Sequence, residues 1–349
     1  MEIGIGMFGD MSLDFQTNKY QKASERLKEI IEEVKLADEL GIDLFAMGEH
    51  HRKDYAVPSP ETLLAAVATV TKQIKLSSGV NVISSTDPVK LFQDYTMIDM
   101  LSNHRAEIMA GRGSFIESFP LFGYELTDYD ALFEEKLDLL LQLRSKEVIN
   151  WSGKFRNPIT NQTVYPRPER KIPISIAVGG TPSSVARAAR LGLPIVFAII
   201  GGNPAQFNPL IDYYREAYLK YGHDPKKMKV GVHSHTFIAG SEEKIMKAYY
   251  PRYAFAMNKI GKERGWSGGY TPASFKAGLG SGGALYMGEP EYVTEKLINT
   301  LEMFDIRQYV AHMDVGGAPH NLMMKNIELF GTRVAPALKK HFEKKSVLN

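Results

Sequence analysis

The sequence contains no cysteine. That excludes a disulfide framework, thiolate-ligated zinc, iron–sulfur clusters and a cysteine nucleophile. It fits a reducing cytoplasm, the expected localisation. Long apolar runs are also missing. The most hydrophobic stretch, Leu191 to Ile200, is about half the roughly 20 residues of a membrane-spanning helix, so no membrane association is expected. The first residues include Glu2, Asp10 and Asp14 and do not read as a signal peptide. Charge of one sign is scarce: 42 Lys and Arg stand against 40 Asp and Glu, a formal charge of +2. The basic block is confined to Lys339-Lys340-His341 and Lys344-Lys345, which reads as a frayed, solvated tail at 339–349. No nucleic-acid partner is expected.

What is present is an ordinary globular composition, 44% hydrophobic and 23% charged, over 349 residues. That exceeds a domain of about 100–200 residues but suits a single α/β barrel. Short β-rich runs alternate with runs of helical period. Strands are expected at Ile3–Phe8, Asp43–Gly48, Ile74–Ile83, Arg105–Ala110, Ile174–Val178, Pro194–Ile200, Lys229–Ala239 and Ile306–Val315. Helices fall between them. Pro88 and Pro182 open two of these, and Pro336 is expected to kink or end the last. Eight strands, each followed by a helix, imply a parallel sheet, and right-handed crossovers close that number into a (β/α)8 barrel. An open doubly wound sheet is the alternative, but no Gly-x-Gly-x-x-Gly follows the first strand. The rhythm breaks twice. Val148–Pro173, rich in proline and turn residues, reads as a hairpin-like insertion after the fourth unit. Gly265–Gly288 carries six glycines between Gly268 and Gly283 and reads as an irregular lid after the seventh. The expectation is one barrel domain over 1–349.

Such a barrel works at the C-terminal ends of its strands. After strand five comes Val178-Gly179-Gly180-Thr181-Pro182-Ser183-Ser184. Thr181 is suited to cap the helix and Pro182 to open it. The free amides and positive helix end make an anion site to which Thr181 and Ser184 add hydroxyls; an ordinary capped helix is the plainer alternative. After strand four comes Gly111-Arg112-Gly113-Ser114. Arg112 between two glycines suits a two-pronged phosphate contact, or else a salt bridge to a neighbouring carboxylate. After strand two comes Glu49-His50-His51. One histidine there suits proton transfer near neutral pH and the other a structural bond to Glu49; local physics does not separate them. Strand three passes through Gly79-Val80-Asn81, small enough to admit a flat ligand, although a bulge at Gly79 would explain it as well. His233 with His235, and His312 with Asp314, each share a strand face by period two. They suit a metal-dependent hydrolase, or a polar layer near the barrel mouth. A full metal set is not evident, and no metal is expected.

Taken in order, these segments resemble the bacterial luciferase-like flavin monooxygenase family over nearly the whole chain. The resemblance is carried by Glu49-His50-His51, Asp87-Pro88-Val89, Ile98-Asp99-Met100-Leu101-Ser102, Arg105 to Gly113, Gly179-Gly180-Thr181-Pro182 and Gly288-Glu289-Pro290-Glu291-Tyr292-Val293. It implies a barrel that binds FMN, with Arg112, Thr181 and Ser184 around the phosphate and Gly113, Val178, Gly179 and Gly180 beside them. It implies that Gly79, Val80 and Asn81 face the flavin ring, where relatives often hold a non-proline cis peptide at the position of Gly79-Val80. His50 matches the family's active-site histidine. The implied chemistry uses reduced FMN, supplied by a separate reductase, and dioxygen to oxygenate a small organic substrate, aldehyde- or ketone-like. A deazaflavin-dependent dehydrogenase or reductase of the same fold is the alternative. Relatives are commonly homodimers, and the small-residue helix Leu63–Ala68 would allow close approach. The reactive cysteine of luciferase is missing; Gly111 stands near its place, so light emission is not implied. Substrate choice is expected to lie in the two insertions.

Overall fold

The computed structural model describes residues 1–113, 115–266 and 268–347. Among these, eight parallel strands close on themselves: β1 (Glu2–Met7), β2 (Leu44–Met47), β3 (Lys75–Ser78), β4 (Ala106–Gly111), β5 (Ile174–Val178), β6 (Ile195–Ala198), β7 (Val230–Ile238) and β8 (Gln308–His312). Neighbours in sequence are neighbours in space, and β8 returns to β1 with Glu2 opposite Gln308 and Gly6 opposite His312. The fold is a (β/α)8 barrel.

The strand period explains both layers. On β1 the odd residues Ile3 and Ile5 are fully buried in the core that includes Ile30 and Val34 of helix α1 (Ala23–Glu39). The alternate positions are glycines pointing into the barrel. A Cβ on Gly4 would sit 2.9 Å from the Leu44 carbonyl, and one on Gly6 would sit 2.7 Å from His233 Nε2. Interiors are packed to near-crystalline density, so the barrel closes over β1 because that strand carries no side chains there.

The helices on the outer layer are α2 (Pro60–Ala68), α3 (Pro88–Leu101), α4 (Tyr129–Ser145), α5 (Pro182–Leu191), α6 (Asn208–Lys220), α7 (Tyr250–Glu263), α8 (Pro272–Leu279), α9 (Pro290–Phe304), α10 (His320–Leu329) and α11 (Ala335–Val347). Their starts follow local chemistry. Asp87 caps α3 by accepting from the amides of Val89 and Lys90, and Pro88 takes the first helical position, where no N–H is needed. A π-turn at Phe330–Val334 separates α10 from α11 just before Pro336, as expected of a residue that cannot donate to the preceding turn.

The first insertion is an antiparallel hairpin of Val148–Trp151 and Ile159–Thr163. Trp151 pins it to α4 by donating from Nε1 to Asp138 at 3.0 Å. Two expectations need correction. The stretch 265–288 is not simply irregular. It contains α8, opened by a reciprocal Thr271–Ser274 capping box, and a short strand, Tyr286–Gly288, paired with the end of β7. Its glycine density masked both elements. The first turn of the C-terminal tail is not frayed either. Lys339 reaches Asp43 at 2.7 Å, His341 meets Glu302 at 2.7 Å, and Phe342 is 2% exposed, so α11 is packed. Leu348 and Asn349 lie outside the described residues.

Candidate active site

At the C-terminal ends of the strands lies a cavity of about 360 Å³, within the usual size of a ligand site. Nine of the expected site residues line it: His50, Gly79, Val80, Arg112, Gly113, Val178, Gly179, Thr181 and Ser184. Asn81 and Gly180 do not. Asn81 turns its Nδ2 to Glu61, and a Cβ on Gly180 would lie 3.4 Å from the Phe207 ring. Neither the hairpin at 148–163 nor α8 contributes to the lining.

One end of the cavity is polar and unsatisfied. Arg112 and Gly113 follow β4, Thr181 and Ser184 follow β5, and those strands are paired (Ile176 opposite Ala110). Thr181 occupies the cap position of α5 but makes no side-chain capping bond. The Ser184 hydroxyl is buried with no hydrogen-bond partner among the described residues. A buried polar group without a partner costs about 1–3 kcal/mol, so an oxygen-rich ligand at this point is favoured. Arg112 satisfies both readings of its sequence context. It lines the cavity, and its Nη1 is 2.5 Å from Asp130, whose side chain is 68% exposed. Exposed pairs of this kind contribute about 0–1 kcal/mol, so an anion can compete for the guanidinium. Gly113 has φ +76°, and a Cβ there would meet Val82 at 2.9 Å, so this turn requires glycine. Ser114 lies outside the described residues.

Another part of the lining is apolar. Gly79, Val80 and Val82 form one wall, and the Gly79–Val80 peptide is cis. Ala177, Val196, Ala198 and Ile200 line the same cavity.

The other end is aromatic and titratable. The His50 ring lies 4.6 Å from Phe8, 4.5 Å from Tyr55 and 4.9 Å from Phe115. Burial, and then the neighbouring His312, push its pKa down to about 3, so it is a neutral imidazole at physiological pH. Its Nε2 is buried without a hydrogen-bond partner among the described residues. His51 differs. Its Nε2 is 2.9 Å from Glu49 Oε1, while Glu49 Oε2 accepts from the Val82 amide at 2.8 Å. Glu49 therefore ties the β2 loop to the β3 loop and holds His51 in that tie, leaving His50 to the cavity.

His233 also lines the cavity. Behind it, His312 Nδ1 is 3.2 Å from His233 Nε2, and His312 Nε2 is 3.3 Å from Asp314. Asp314 Oδ1 accepts from the Phe8 amide at 2.9 Å, and Oδ2 accepts from Gly9 at 2.9 Å and Asp10 at 3.2 Å. The Arg26 guanidinium is 3.5 Å away. Burial alone would raise the Asp314 pKa. The contact with His312, Arg26 and the amide bonds outweigh it and hold the carboxylate at about 2. His235 turns its Nδ1 to the Tyr253 hydroxyl at 2.8 Å. Asp314 is already bound by three amides and a guanidinium, and His235 by a tyrosine, so the set His233, His235, His312 and Asp314 is not open for a metal, although ligand atoms of Asp10, His312 and Asp314 lie within 4.8 Å of one another.

Glu49 and Gly111, named in the sequence for other reasons, also line the cavity, and Phe8, Val82, Tyr129, Ala177, Val196, Ala198, Ile200 and Arg264 complete the lining and escaped sequence reasoning. Strand parity was the available signal: Ala177 and Gly179, and likewise Val196, Ala198 and Ile200, share one face by alternation.

The profile of luciferase-like monooxygenases matches residues 7–303. The chain belongs to the luciferase-like monooxygenase family. It is 24% identical over 348 residues to the uncharacterised protein y4vJ of Sinorhizobium fredii, covering 95% of this chain and 97% of that one. It is 25% identical to the alkanal monooxygenase alpha chain of Photorhabdus laumondii, over 62% of this chain and 60% of that one. Among solved structures, the oxygenating component of 3,6-diketocamphane monooxygenase from Pseudomonas putida, in complex with FMN, superposes with TM-score 0.78 at 19% identity, over 97% and 98% of the two chains. The coenzyme F420-dependent tetrahydromethanopterin reductase of Methanopyrus kandleri gives 0.72 at 19% identity, over 97% and 99%. This luciferase-like fold therefore houses both kinds of flavin chemistry. Among the described residues, no helix is long and apolar enough to cross a membrane.

Proposed function

We propose that the protein is an FMN-dependent monooxygenase that uses reduced FMN and dioxygen to oxygenate a small aldehyde- or ketone-like substrate. The observation that carries this reading is the Ser184 hydroxyl, buried without a partner among the described residues, in a cavity that Thr181, Arg112 and His50 also line. The chemistry of the donors fits a terminal phosphate. Arg112, Thr181, Ser184 and the amino end of α5 would hold it, and Gly79, Val80 and Val82 would lie against the ring. Bound reduced flavin would supply the electrons and the oxygen-activating chemistry. The chain's own part is to orient the ligand, to keep water out with Phe8, Val80, Val196 and Ile200, and to accept or return a proton at His50 Nε2, which has no competing partner. We place the reduction of the flavin on a separate reductase that delivers it by diffusion.

We further propose a cytoplasmic, single-domain protein acting as a homodimer. The exposed Met97, Met100 and Leu101 on α3, next to the small-residue helix α2, support that assembly; light scattering tests it. The cofactor is tested by titrating FMN and a deazaflavin in parallel and following their fluorescence. FMN is expected to bind and the deazaflavin not to; the opposite result moves the protein to the dehydrogenase or reductase reading.

A further inference from the structure

Nothing in the function proposed above uses His233, His312 or Asp314, although they form a continuous line that ends in the same cavity. We propose that His233 is a second proton-handling group of this cavity, and that His312 and Asp314 are positioning residues acting through it. The inference rests on the monooxygenase reading only for the substrate that the proton would serve.

The argument is one of donors and acceptors. Ionised Asp314 accepts only, and its position is fixed by the amides of Phe8, Gly9 and Asp10 and by Arg26. The His312 nitrogen facing it, Nε2, is at ion-pair distance (3.3 Å) without a well-formed hydrogen bond, and beside a carboxylate that only accepts it carries a proton. When Nε2 carries the only proton of the ring, Nδ1 is a lone pair and His233 Nε2, 3.2 Å away, donates to it. That leaves Nδ1 of His233, the nitrogen not turned to His312, as a lone pair available to the cavity that His233 lines. The fold makes room for this contact: a Cβ on Gly6 would meet His233 Nε2 at 2.7 Å.

The proton balance closes. When His233 Nδ1 takes a proton from a bound molecule, its Nε2 proton passes to His312 Nδ1. His233 is again neutral, as the other tautomer, and the positive charge rests on His312 against Asp314. One proton enters and one moves within the pair. The reverse sequence returns it. Other groups press on the line. Phe8 meets His312 edge-on at 4.0 Å, and the ring of His235, bonded to Tyr253, lies 5.4 Å from His312. Asp10 stands beside Asp314, and burial together with that neighbour raises its pKa well above the usual carboxylate value. Arg26 keeps Asp314 ionised, so the proton stops at His312. His50 lies across Phe8, and its Nε2 has no hydrogen-bond partner among the described residues.

Ring-nitrogen NMR of the full chain labelled with 15N-histidine, with no cofactor added, tests the inference. A scalar coupling across the hydrogen bond between His233 Nε2 and His312 Nδ1 is expected, together with a change of His233 tautomer as the pair takes up a proton. His312→Asn should abolish both. His233→Asn should lower turnover of the loaded enzyme about 100-fold or more with FMN affinity unchanged. Absence of the coupling in the wild-type spectrum, or independent titration of the two rings, overturns the relay. The wild-type spectrum suffices if a variant fails to fold. Because it is recorded without cofactor, its outcome stands apart from FMN titration, whose failure would count against the cofactor reading alone.

Discussion

The two ends of the cavity are built in opposite ways. The end after β4 and β5 is made of two short local segments, a glycine turn with one arginine and the start of a helix. Its polar groups are left open, with Ser184 lacking a partner and Arg112 held by an exposed carboxylate. The histidine end is assembled from β1, β2, β7 and β8, and its groups are buried and, His50 apart, bonded to one another. An end made of open local donors is suited to hold a ligand. An end made of buried long-range contacts is suited to fix protonation states. The contrast assigns affinity to the first and reactivity to the second.

The sharpest way to break that assignment is at His50. His50→Ala should cut turnover by about 10²–10⁴-fold with little change in FMN affinity, as measured by single-turnover kinetics beside a binding titration. A matching loss of affinity would merge the two ends. Arg112→Ala should do the converse, weakening FMN by about 10- to 100-fold, the loss of about 1.5–3 kcal/mol from a charge-assisted bond, with riboflavin binding unaffected. Stability against pH probes the histidine end by itself. His50 is held at about 3 in the folded chain and His233 likewise, against 6.5 for a free histidine. The unfolded chain thus binds more protons between those values. The stability is complete above pH 6.5 and falls as the pH drops toward 3, by about 2 kcal/mol at pH 5 for His50 alone. Denaturant melts at pH 7.5 and 5 check this, and His50→Gln should remove its share. Asp314, at about 2 in the folded chain, lowers stability only in more acidic solution, below its ordinary value of 3.8 and toward 2. A smaller effect is expected of Ser184→Ala: about fivefold weaker FMN binding, near 1 kcal/mol, with no loss of melting temperature because the hydroxyl has no partner to lose. Smallest is Lys339→Ala at the packed tail, below about 1 kcal/mol by thermal melting.

The same contrast explains what the sequence revealed. Elements bounded by proline and a capping residue stood out, so α3 and α5 are found at Pro88–Leu101 and Pro182–Leu191. The phosphate-suited end was legible because Arg112, Thr181 and Ser184 carry their meaning in their immediate neighbours. His50 and His51 could not be separated, because what separates them is the amide of Val82, brought in by the fold through Glu49. His233, His312 and Asp314 drew attention as metal ligands. Only the closure of β8 on β1 shows Asp314 occupied by the amides of Phe8 and Gly9. That Asn81 turns its Nδ2 to Glu61 was equally hidden, since Glu61 lies on α2. The tail misled because charge density was weighed above Phe342, which is buried.

The most direct test of the division of labour is the ratio of FMN to riboflavin affinity, by quenching of flavin fluorescence, in the wild type and in His50→Ala. The account predicts that FMN binds at least about 100-fold more tightly than riboflavin, through charge-assisted contacts to the phosphate, and that His50→Ala leaves this ratio unchanged. Equal affinity for the two flavins in the wild type, or a ratio that collapses in His50→Ala, would contradict it.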